Sequence, residues 1–307
     1  MKLLLICIYY LPNKTSAAVQ MSDLAKELYS RKIDIDVLTT DSSLKKDIEI
    51  KNENGINIIR IKTGNFNNVS NIKRLINEIT MPFYIIKALL KKNYDIRNYD
   101  GIISWSPSIF FGPVIYFIKK ISNSKSYLIL RDIFPEWAVD LRILRKGIIY
   151  YLFKLIAFFQ YKISDKIGVQ SESNIKFVKN YNISMDKIEV LNNWYSDKKN
   201  DECFINLSKT NLKHKKIVVY AGNIGAAQGL EKIISLCERF KEQDNIGFLF
   251  IGRGSNFNKL KQKIEFKNIQ NTLILPEINP NQIPDLYKQC HLGLIILDER
   301  HKTHNIP

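Results

Sequence analysis

The sequence has few cysteines, and none of them are close together. Cys7, Cys203, Cys237 and Cys290 are the four in 307 residues, and no two form a Cys-x-x-Cys pair. This spacing lacks the paired-cysteine motifs of disulfide frameworks and of many zinc sites. It favours reduced, mostly buried thiols in a cytosolic protein.

Long apolar runs are also missing. The longest, residues 147–159, is interrupted by Lys154 and is shorter than the roughly 20 residues that span a bilayer. The apolar start, residues 3–11, resembles a signal peptide, but a turn at 13–15 and an amphipathic pattern follow where a cleavage site should stand. We therefore expect no membrane crossing. Residues 147–159 fit either a buried crossover helix or a face against lipid headgroups.

Acidic residues are too few to balance the basic ones. There are 46 Lys and Arg against 30 Asp and Glu, which gives a formal net charge of +16. Such a surplus suits nucleic acid or anionic lipid, and it also follows from a lysine-rich composition alone. Because no basic run alternates with aromatic residues as in nucleic-acid motifs, we expect no nucleic-acid partner.

What the sequence does contain is a regular alternation of apolar strands and amphipathic helices. This pattern predicts an α/β protein with two doubly wound Rossmann-type domains that face a cleft. We place the first domain at residues 1–195, a polar linker at 196–215 and the second domain at 216–307. The second has fewer residues than such a sheet usually needs, so we expect it to be incomplete.

The most informative stretch is residues 216–230. An apolar strand, 217–221, is followed by Gly222, Gly225 and Gly229, and then by apolar residues at helical spacing. Such a turn suits a phosphate, because it places backbone N–H groups at the positive end of a helix. The lysine and hydroxyl of a nucleotide-triphosphate loop are absent, and the spacing is not that of a dinucleotide-binding turn. The alternative is a close strand-to-helix turn with no ligand.

Two further sets of polar residues follow predicted strands. Arg253 follows the next strand of the second domain, where a guanidinium suits a phosphate. Residues 131–137 of the first domain supply Asp132 or Glu136 to orient or deprotonate a sugar hydroxyl, and Trp137 to stack on a sugar face. The alternative for 131–137 is a surface turn with an Arg–Asp pair.

Residues 298–304 resemble a metal site only loosely. His301 and His304 stand near Asp298 and Glu299, but the spacing is irregular. We expect no metal there.

Three motifs together resemble the retaining, nucleotide-sugar-dependent glycosyltransferases of family 4, which have the GT-B fold. Residues 9–28 are similar to the opening strand, loop and Leu-Ala-x-x-Leu helix of that family. Residues 131–137 resemble its Asp-x-x-Pro-Glu turn, and residues 219–230 resemble the first strand and turn of its donor domain. The resemblance is greatest to bacterial enzymes of O-antigen, capsule or colanic-acid synthesis, including the fucosamine-transferase group.

The resemblance implies a nucleotide-sugar donor, carrying uridine diphosphate, and a polyprenyl-diphosphate-linked saccharide acceptor. It also implies retention of configuration, no cofactor or metal, and a peripheral position on an anionic membrane, at the inner face of the cytoplasmic membrane. The implied catalytic residues are Asp132 and Glu136. The implied donor-binding residues are Ser16, Gly222, Asn223, Gly225, Gln228, Arg253 and Asp298, and the acceptor-binding residues are Asn13, Arg131 and Trp137.

Two departures from the family keep other functions open. Asn223 and Gln228 stand where many members have Arg and Lys, and the sequence stops at Pro307, before the family's donor-binding glutamate. We therefore also consider an inactive fragment that binds only acceptor or membrane, and a nucleotide-sugar epimerase of the same fold.

Overall fold

The computed structural model describes residues 1–66, 69–106, 108–194, 201–298 and 300. These residues form two compact units, the first within Met1–Ser196 and the second within Asp197–Lys302. Both units are α/β, as the alternation of strands and helices predicts.

The first unit contains a sheet in which all neighbouring strands are parallel except one antiparallel pair. Its strands are β1 (Lys2–Ile6), β2 (Asp34–Thr40), β3 (Ile48–Glu53), β4 (Ile56–Ile61), β5 (Gly101–Trp105), β6 (Lys125–Leu130), β7 (Lys166–Val169) and β8 (Ile188–Val190). Their order is β3-β4-β2-β1-β5-β6-β7-β8, and β3 and β4 form the antiparallel pair, joined at Asn54-Gly55. The helices are α1 (Ser16–Ser30), α2 (Asn71–Lys91), α3 (Gly112–Ser122), α4 (Glu136–Asp140), α5 (Ile148–Ile163) and α6 (Glu172–Lys179).

Two cores lie on opposite faces of this sheet because side chains alternate along each strand. Leu4 and Ile6 of β1 belong to the core that packs against α2, α3 and α5. Leu5 and Cys7 belong to the core on the α1 side. Because the strands other than β3 run parallel, their carboxyl ends lie at one edge of the sheet. The loops that follow these strands gather at that edge.

The second unit repeats this plan on a smaller scale. Its strands are β9 (Lys216–Asn223), β10 (Ile246–Arg253), β11 (Thr272–Pro276) and β12 (Leu292–Gly293), all parallel, in the order β11-β10-β9-β12. The helices are α7 (Leu230–Arg239), α8 (Phe257–Phe266) and α9 (Ile283–Tyr287). Strand β12 pairs with β9 at the edge of the sheet, and Leu292 is 60% exposed.

Residues 201–215, within the predicted linker, pack on the second unit. Leu207 and Leu212 are buried in its core, and the Leu207 N–H donates to Gln289 Oε1 at 2.9 Å. Their apolar side chains are widely spaced in a polar sequence, so no periodicity marks them. Residues 195–200 lie outside the described residues.

Candidate functional site

The turn after β9 is closed by the side chain of Gln228. Its Oε1 accepts hydrogen bonds from the Gly225 N–H at 2.9 Å and from Asn223 Nδ2 at 3.3 Å. The Tyr220 hydroxyl donates to the main-chain oxygen of Asn223 at 2.6 Å. The structure therefore brings together three of the predicted donor-binding residues, Asn223, Gly225 and Gln228.

Glycines allow the ends of β9 and β10 to approach each other closely. A Cβ added at Gly252 would lie 1.8 Å from the main-chain oxygen of Gly222, and one at Gly254 would lie 2.4 Å from that of Ile224. The Ile224 N–H donates to the main-chain oxygen of Arg253 at 2.7 Å. Any side chain at these glycines would separate the two loops that form this corner.

The helix that follows the turn offers an anion-binding end. Gly229, with φ of 59°, takes the left-handed conformation that glycine favours, and α7 begins at the next residue. First-turn N–H groups of a helix have no intrahelical acceptor, so they favour a negative ligand. The glycine turn therefore has the geometry of a phosphate cradle, although Gly222 and Gly225 contribute only backbone.

Asp298 lies beside this turn. Its N–H donates to the main-chain oxygen of Ala227 at 2.8 Å, and its carboxylate accepts from Arg300 Nε at 2.8 Å and Nη2 at 2.7 Å. The hydrogen bonds from Arg300 lower the pKa of Asp298 to about 2. Asp298 is therefore ionised at neutral pH, next to the predicted donor-binding residues.

Arg253 faces a carboxylate. Its Nη1 lies 3.1 Å from Glu277 Oε1, and both side chains are about half exposed. A diphosphate on the glycine turn would have to share this guanidinium with Glu277. Phosphate binding by Arg253 stays a prediction.

In the first unit, Asn13 and Ser16 shape the loop after β1. Asn13 Oδ1 accepts from the Thr15 N–H at 2.9 Å, and Ser16 is the first residue of α1. Arg60 Nη2 donates to the main-chain oxygen of Leu11 at 2.9 Å and holds the loop to β4. Asn13 also borders a cavity of about 320 Å³ that Thr40 helps to line. The polar lining suits a hydroxyl-rich ligand.

Arg131 lies among aromatic rings at the start of the loop after β6. Its guanidinium carbon is 5.1 Å from the centre of the Trp105 ring, which contacts Trp194 edge to face at 6.2 Å. With the Gln170 amide oriented so that its oxygen faces the guanidinium, that oxygen accepts from Arg131 Nη2 at 3.1 Å. Burial lowers the pKa of Arg131 to about 10, so the side chain remains charged at neutral pH. Arg131, which follows β6, thus lies against Trp105 at the end of β5 and against Gln170 after β7.

Asp132 is next to this cation and is fixed through its backbone. Its main-chain oxygen accepts from Ser106 Oγ at 3.1 Å and from the Phe134 N–H at 3.1 Å. The half-buried carboxylate interacts electrostatically with Arg131. The loop therefore holds Asp132 in a defined place without burying it fully.

Glu136 points into the interior of the first unit. It opens the short helix α4, and its Oε1 accepts from the Tyr181 hydroxyl at 2.8 Å. Oε2 is also buried, and Tyr150 and Tyr161 lie near enough to interact with the carboxylate. Burial raises the pKa of Glu136. This setting fits a residue that holds α4 in position, and a catalytic role for Glu136 stays a prediction.

Trp137 packs against the same loop. Its ring lies 5.9 Å from that of Phe134, which is 5.0 Å from Phe153 of α5. The indole Nε1 is buried and has no hydrogen-bond partner among the described residues. Stacking of Trp137 on a sugar stays a prediction.

The loops after β1 and β6 share one edge of the sheet but are not adjacent. Strand β5 lies between β1 and β6. With neighbouring strands about 4.8 Å apart, the two loops start about 10 Å from each other.

Sequence reasoning missed Tyr181, Gln170 and Trp194. Gln170 and Trp194 follow β7 and β8, so their places after strands could have indicated them. Tyr181 lies beyond α6 and carries no comparable signal.

The structure does not test the metal hypothesis. Glu299, His301 and His304 lie outside the described residues. Within the described part of the chain, no cluster of three or more His, Cys, Asp or Glu side chains is arranged to hold a metal ion.

Comparison with known proteins shows what part of the second unit is similar to. Residues 205–295 match the model of the family described as "Glycosyl transferases group 1". Among curated proteins, the chain is 24% identical over 204 residues to WcaI of Escherichia coli (strain K12), assigned to colanic acid biosynthesis as a glycosyl transferase. It is 28% identical over 201 residues to WbjE of Pseudomonas aeruginosa, assigned as a glycosyltransferase. Each match covers 63% of this chain and 50% of the relative, so the matched region spans about half the length of these relatives.

Solved structures share the fold over most of the chain. WaaG, a glycosyltransferase involved in lipopolysaccharide biosynthesis, matches with a TM-score of 0.62 and 14% identity, over 95% of this chain and 74% of that one. Anabaena Alr3699/HepE in complex with UDP and glucose matches with a TM-score of 0.61 and 13% identity, over 95% and 73%. A UDP-N-acetylglucosamine 2-epimerase matches with a TM-score of 0.52 and 11% identity, over 95% and 73%. Residues 205–295 are therefore similar to the glycosyl transferases group 1 family, and the chain has a GT-B-like α/β fold.

Proposed function

We propose that the protein transfers a sugar from a nucleotide-sugar to a lipid-linked saccharide in bacterial surface-polysaccharide synthesis. The observation that carries this proposal is the glycine turn, which Gln228 closes and Asp298 flanks, within the segment that matches the family. A uridine diphosphate donor is supported by the similar HepE structure, which contains UDP. A role in surface polysaccharide is supported by the names of WcaI and WaaG.

In this proposal the two units divide the substrates. The diphosphate binds the N–H groups at the start of α7, with Asn223 and Arg253 as side-chain donors. The acceptor binds the first unit, where Asn13, Arg131 and Trp137 provide an amide, a cation and an aromatic ring. Asp132 orients the attacking hydroxyl.

The proposed reaction retains the configuration of the sugar. The acceptor oxygen bonds to the anomeric carbon on the face from which the diphosphate leaves, the bond from that carbon to the diphosphate oxygen breaks, and the hydroxyl proton passes to the leaving oxygen. Positioned donors stabilise the negative charge that develops on the diphosphate, so this route needs no metal ion. The lipid-linked acceptor would place the protein peripherally at the inner face of the cytoplasmic membrane.

The proposal is tested by incubating the protein with radiolabelled uridine diphosphate sugars and a polyprenyl-diphosphate-linked saccharide. We expect label in the lipid fraction, with the anomeric configuration of the donor retained by NMR. Epimerised sugar formed without acceptor would instead favour the epimerase class. Acceptor binding without turnover of any donor would favour a binding protein, and either result would overturn the proposal.

A further inference from the structure

The carboxylate of Glu136 lies in a setting that is unfavourable for a charged group. Its Oε1 accepts from the Tyr181 hydroxyl at 2.8 Å, but its Oε2 is buried and has no hydrogen-bond partner among the described residues. Lys154 attracts the carboxylate, and its Nζ lies over the Tyr181 ring, 5.1 Å from the ring centre. Burying a carboxylate oxygen without a partner destabilises the folded state, and an apolar side chain would fill the same space more favourably. Packing alone therefore does not account for an acidic residue at this position.

Three tyrosines from outside α4 surround this carboxylate. Tyr150 and Tyr161 belong to α5, and Tyr181 follows α6. Burial, and after it the nearby charge of Glu136, raises the pKa of the Tyr150 and Tyr161 hydroxyls. The rings of Tyr161 and Tyr181 meet edge to face, with 5.0 Å between their centres. The cluster therefore ties the start of α4 to α5 and to the segment after α6.

Glu136 is linked to Asp132 through a continuous turn of backbone. The Phe134 N–H donates to the main-chain oxygen of Asp132 at 3.1 Å, and the Trp137 N–H donates to that of Ile133 at 3.0 Å. Because these two bonds overlap along the chain, a shift of α4 would carry Asp132 with it. A displacement of about 1 Å at a reacting group can lower a rate about 100-fold, so the way α4 is held bears directly on sugar transfer.

We propose that Tyr181 is a positioning residue for sugar transfer: its hydroxyl holds Glu136, and through α4 it fixes Asp132 where the acceptor hydroxyl is oriented. A hydrogen bond is directional, so it sets one position for α4, whereas apolar contacts alone would let this helix of five residues slide. The bond to Tyr181 therefore explains why a carboxylate stands at position 136. The inference deepens the proposed function and rests on it for its meaning, because Asp132 is the group that Tyr181 positions.

The position of the loop after β6 can be measured without any substrate. The protein has three tryptophans, and all of them lie in or beside this loop: Trp137 is in α4, and Trp105 contacts both Arg131 and Trp194. Tyr181→Phe removes the hydroxyl but keeps the ring. We expect this variant to show a shifted tryptophan emission and stronger quenching by acrylamide, because the loop opens more often once the hydrogen bond is lost.

The matched control is Tyr94→Phe. The Tyr94 hydroxyl also donates to a buried carboxylate, that of Asp36, at 3.0 Å. Tyr94 lies between α2 and β5, near the amino ends of the strands and away from the loops that follow them. Both variants lose one hydrogen bond from a tyrosine to a carboxylate, so both unfolding midpoints should fall slightly. Tryptophan emission and the rate of transfer should change in Tyr181→Phe only.

The transfer assay separates positioning from binding. Tyr181→Phe should lower kcat about tenfold or more and leave the KM for the nucleotide-sugar unchanged, because the proposed donor site is in the second unit. Glu136→Leu, which cannot accept the hydrogen bond, should have the same effect. Since the two residues are proposed to act as one unit, the double variant should be no more than about twofold slower than either single variant.

Three results would overturn the inference. Tyr181→Phe could keep the tryptophan emission, the quenching or the kcat of the wild type, or the double variant could be slower by the product of the two single effects. A loss of kcat that Tyr94→Phe shared would assign the effect to stability. If the wild type transferred no sugar, the proposed function would be wrong, and the tryptophan measurements would still decide whether Tyr181 holds the loop.

Discussion

The turn after β9 and the loop after β6 both follow a strand inside a parallel sheet, but they are built in different ways. The turn after β9 has its form because glycines let two strand ends meet and because Gln228 closes the backbone. The loop after β6 has its form because charged side chains are held against aromatic ones, as Arg131 is against Trp105 and Glu136 against Tyr181. The first arrangement is built from backbone and places the start of α7, and the second positions side chains.

This difference predicts how each region responds to substitution. Changes in the glycine turn should act through the stability of the second unit. Changes in the loop after β6 should act through chemistry or through the ionisation of buried groups.

The largest expected effect is that of a substitution in the loop after β6 on the rate of sugar transfer. Asp132→Asn keeps the shape of the side chain but removes the charge that orients the acceptor hydroxyl, so the rate of transfer should fall about 100-fold or more. The control is Asp140→Asn, a half-buried carboxylate at the end of α4 that we do not place in the site, and it should keep the rate within about threefold. The measurement is the initial rate of label transfer to the lipid-linked acceptor. Transfer by Asp132→Asn at the wild-type rate would remove Asp132 from the proposed site.

The next effect is on the stability of the glycine turn. In Gly252→Val the new side chain would begin 1.8 Å from the main-chain oxygen of Gly222, so β9 and β10 would have to separate. Overpacking of this kind costs about 3 kcal/mol or more when backbone cannot move. The matched control is Gly293→Ala, where an added Cβ has no atom within 4 Å. Denaturant unfolding should show a large loss in the free energy of unfolding for Gly252→Val and little change for Gly293→Ala. Equal stabilities of the two variants would refute the close approach of β9 and β10.

The sequence was a good guide where a pattern repeats and a poor one where contacts are made at a distance. Apolar runs indicated the parallel strands, because that signal is local. Residues 131–137 were recognised as chemically rich, but the sequence does not show that Tyr181, 45 positions away, turns Glu136 inward. The burial of Leu207 in the same core as Leu249 of β10 was missed for the same reason.

The third effect is on the pH dependence of stability, and it tests how Glu136 is held. Burial raises the pKa of Glu136 in the folded state above its ordinary value of 4.5, so the folded state holds this proton more tightly than the unfolded state. The contribution of Glu136 to the free energy of unfolding is therefore complete below pH 4.5 and is lost as the pH rises through the raised pKa. A difference of one pH unit between the two pKa values corresponds to about 1.4 kcal/mol.

Glu136→Gln isolates this contribution. The amide still has an oxygen that can accept from Tyr181, but it does not titrate. Urea unfolding of both proteins across this pH range should show the wild type losing stability relative to the variant as pH rises. Parallel curves would mean that the carboxylate is not held in the dry environment that its contacts with Tyr181 create.

The smallest expected effect concerns Arg253, the side chain that would make the glycine turn more than a backbone site. Glu277 competes with a diphosphate for this guanidinium, and the Arg253–Glu277 pair is about half exposed. Removing the Glu277 charge should therefore change the free energy of diphosphate binding by about 1 kcal/mol or less. Glu277→Gln should therefore lower the Kd for uridine diphosphate by a few-fold, and Arg253→Gln should raise it, both measured by isothermal titration. Glu238→Gln is the matched control, because it breaks a similarly exposed pair with Lys267 at the far end of α7 and should leave the Kd unchanged. If neither Glu277→Gln nor Arg253→Gln moved the Kd, the diphosphate would be held by backbone N–H groups and Asn223 alone, and the contrast with the side-chain chemistry after β6 would be complete.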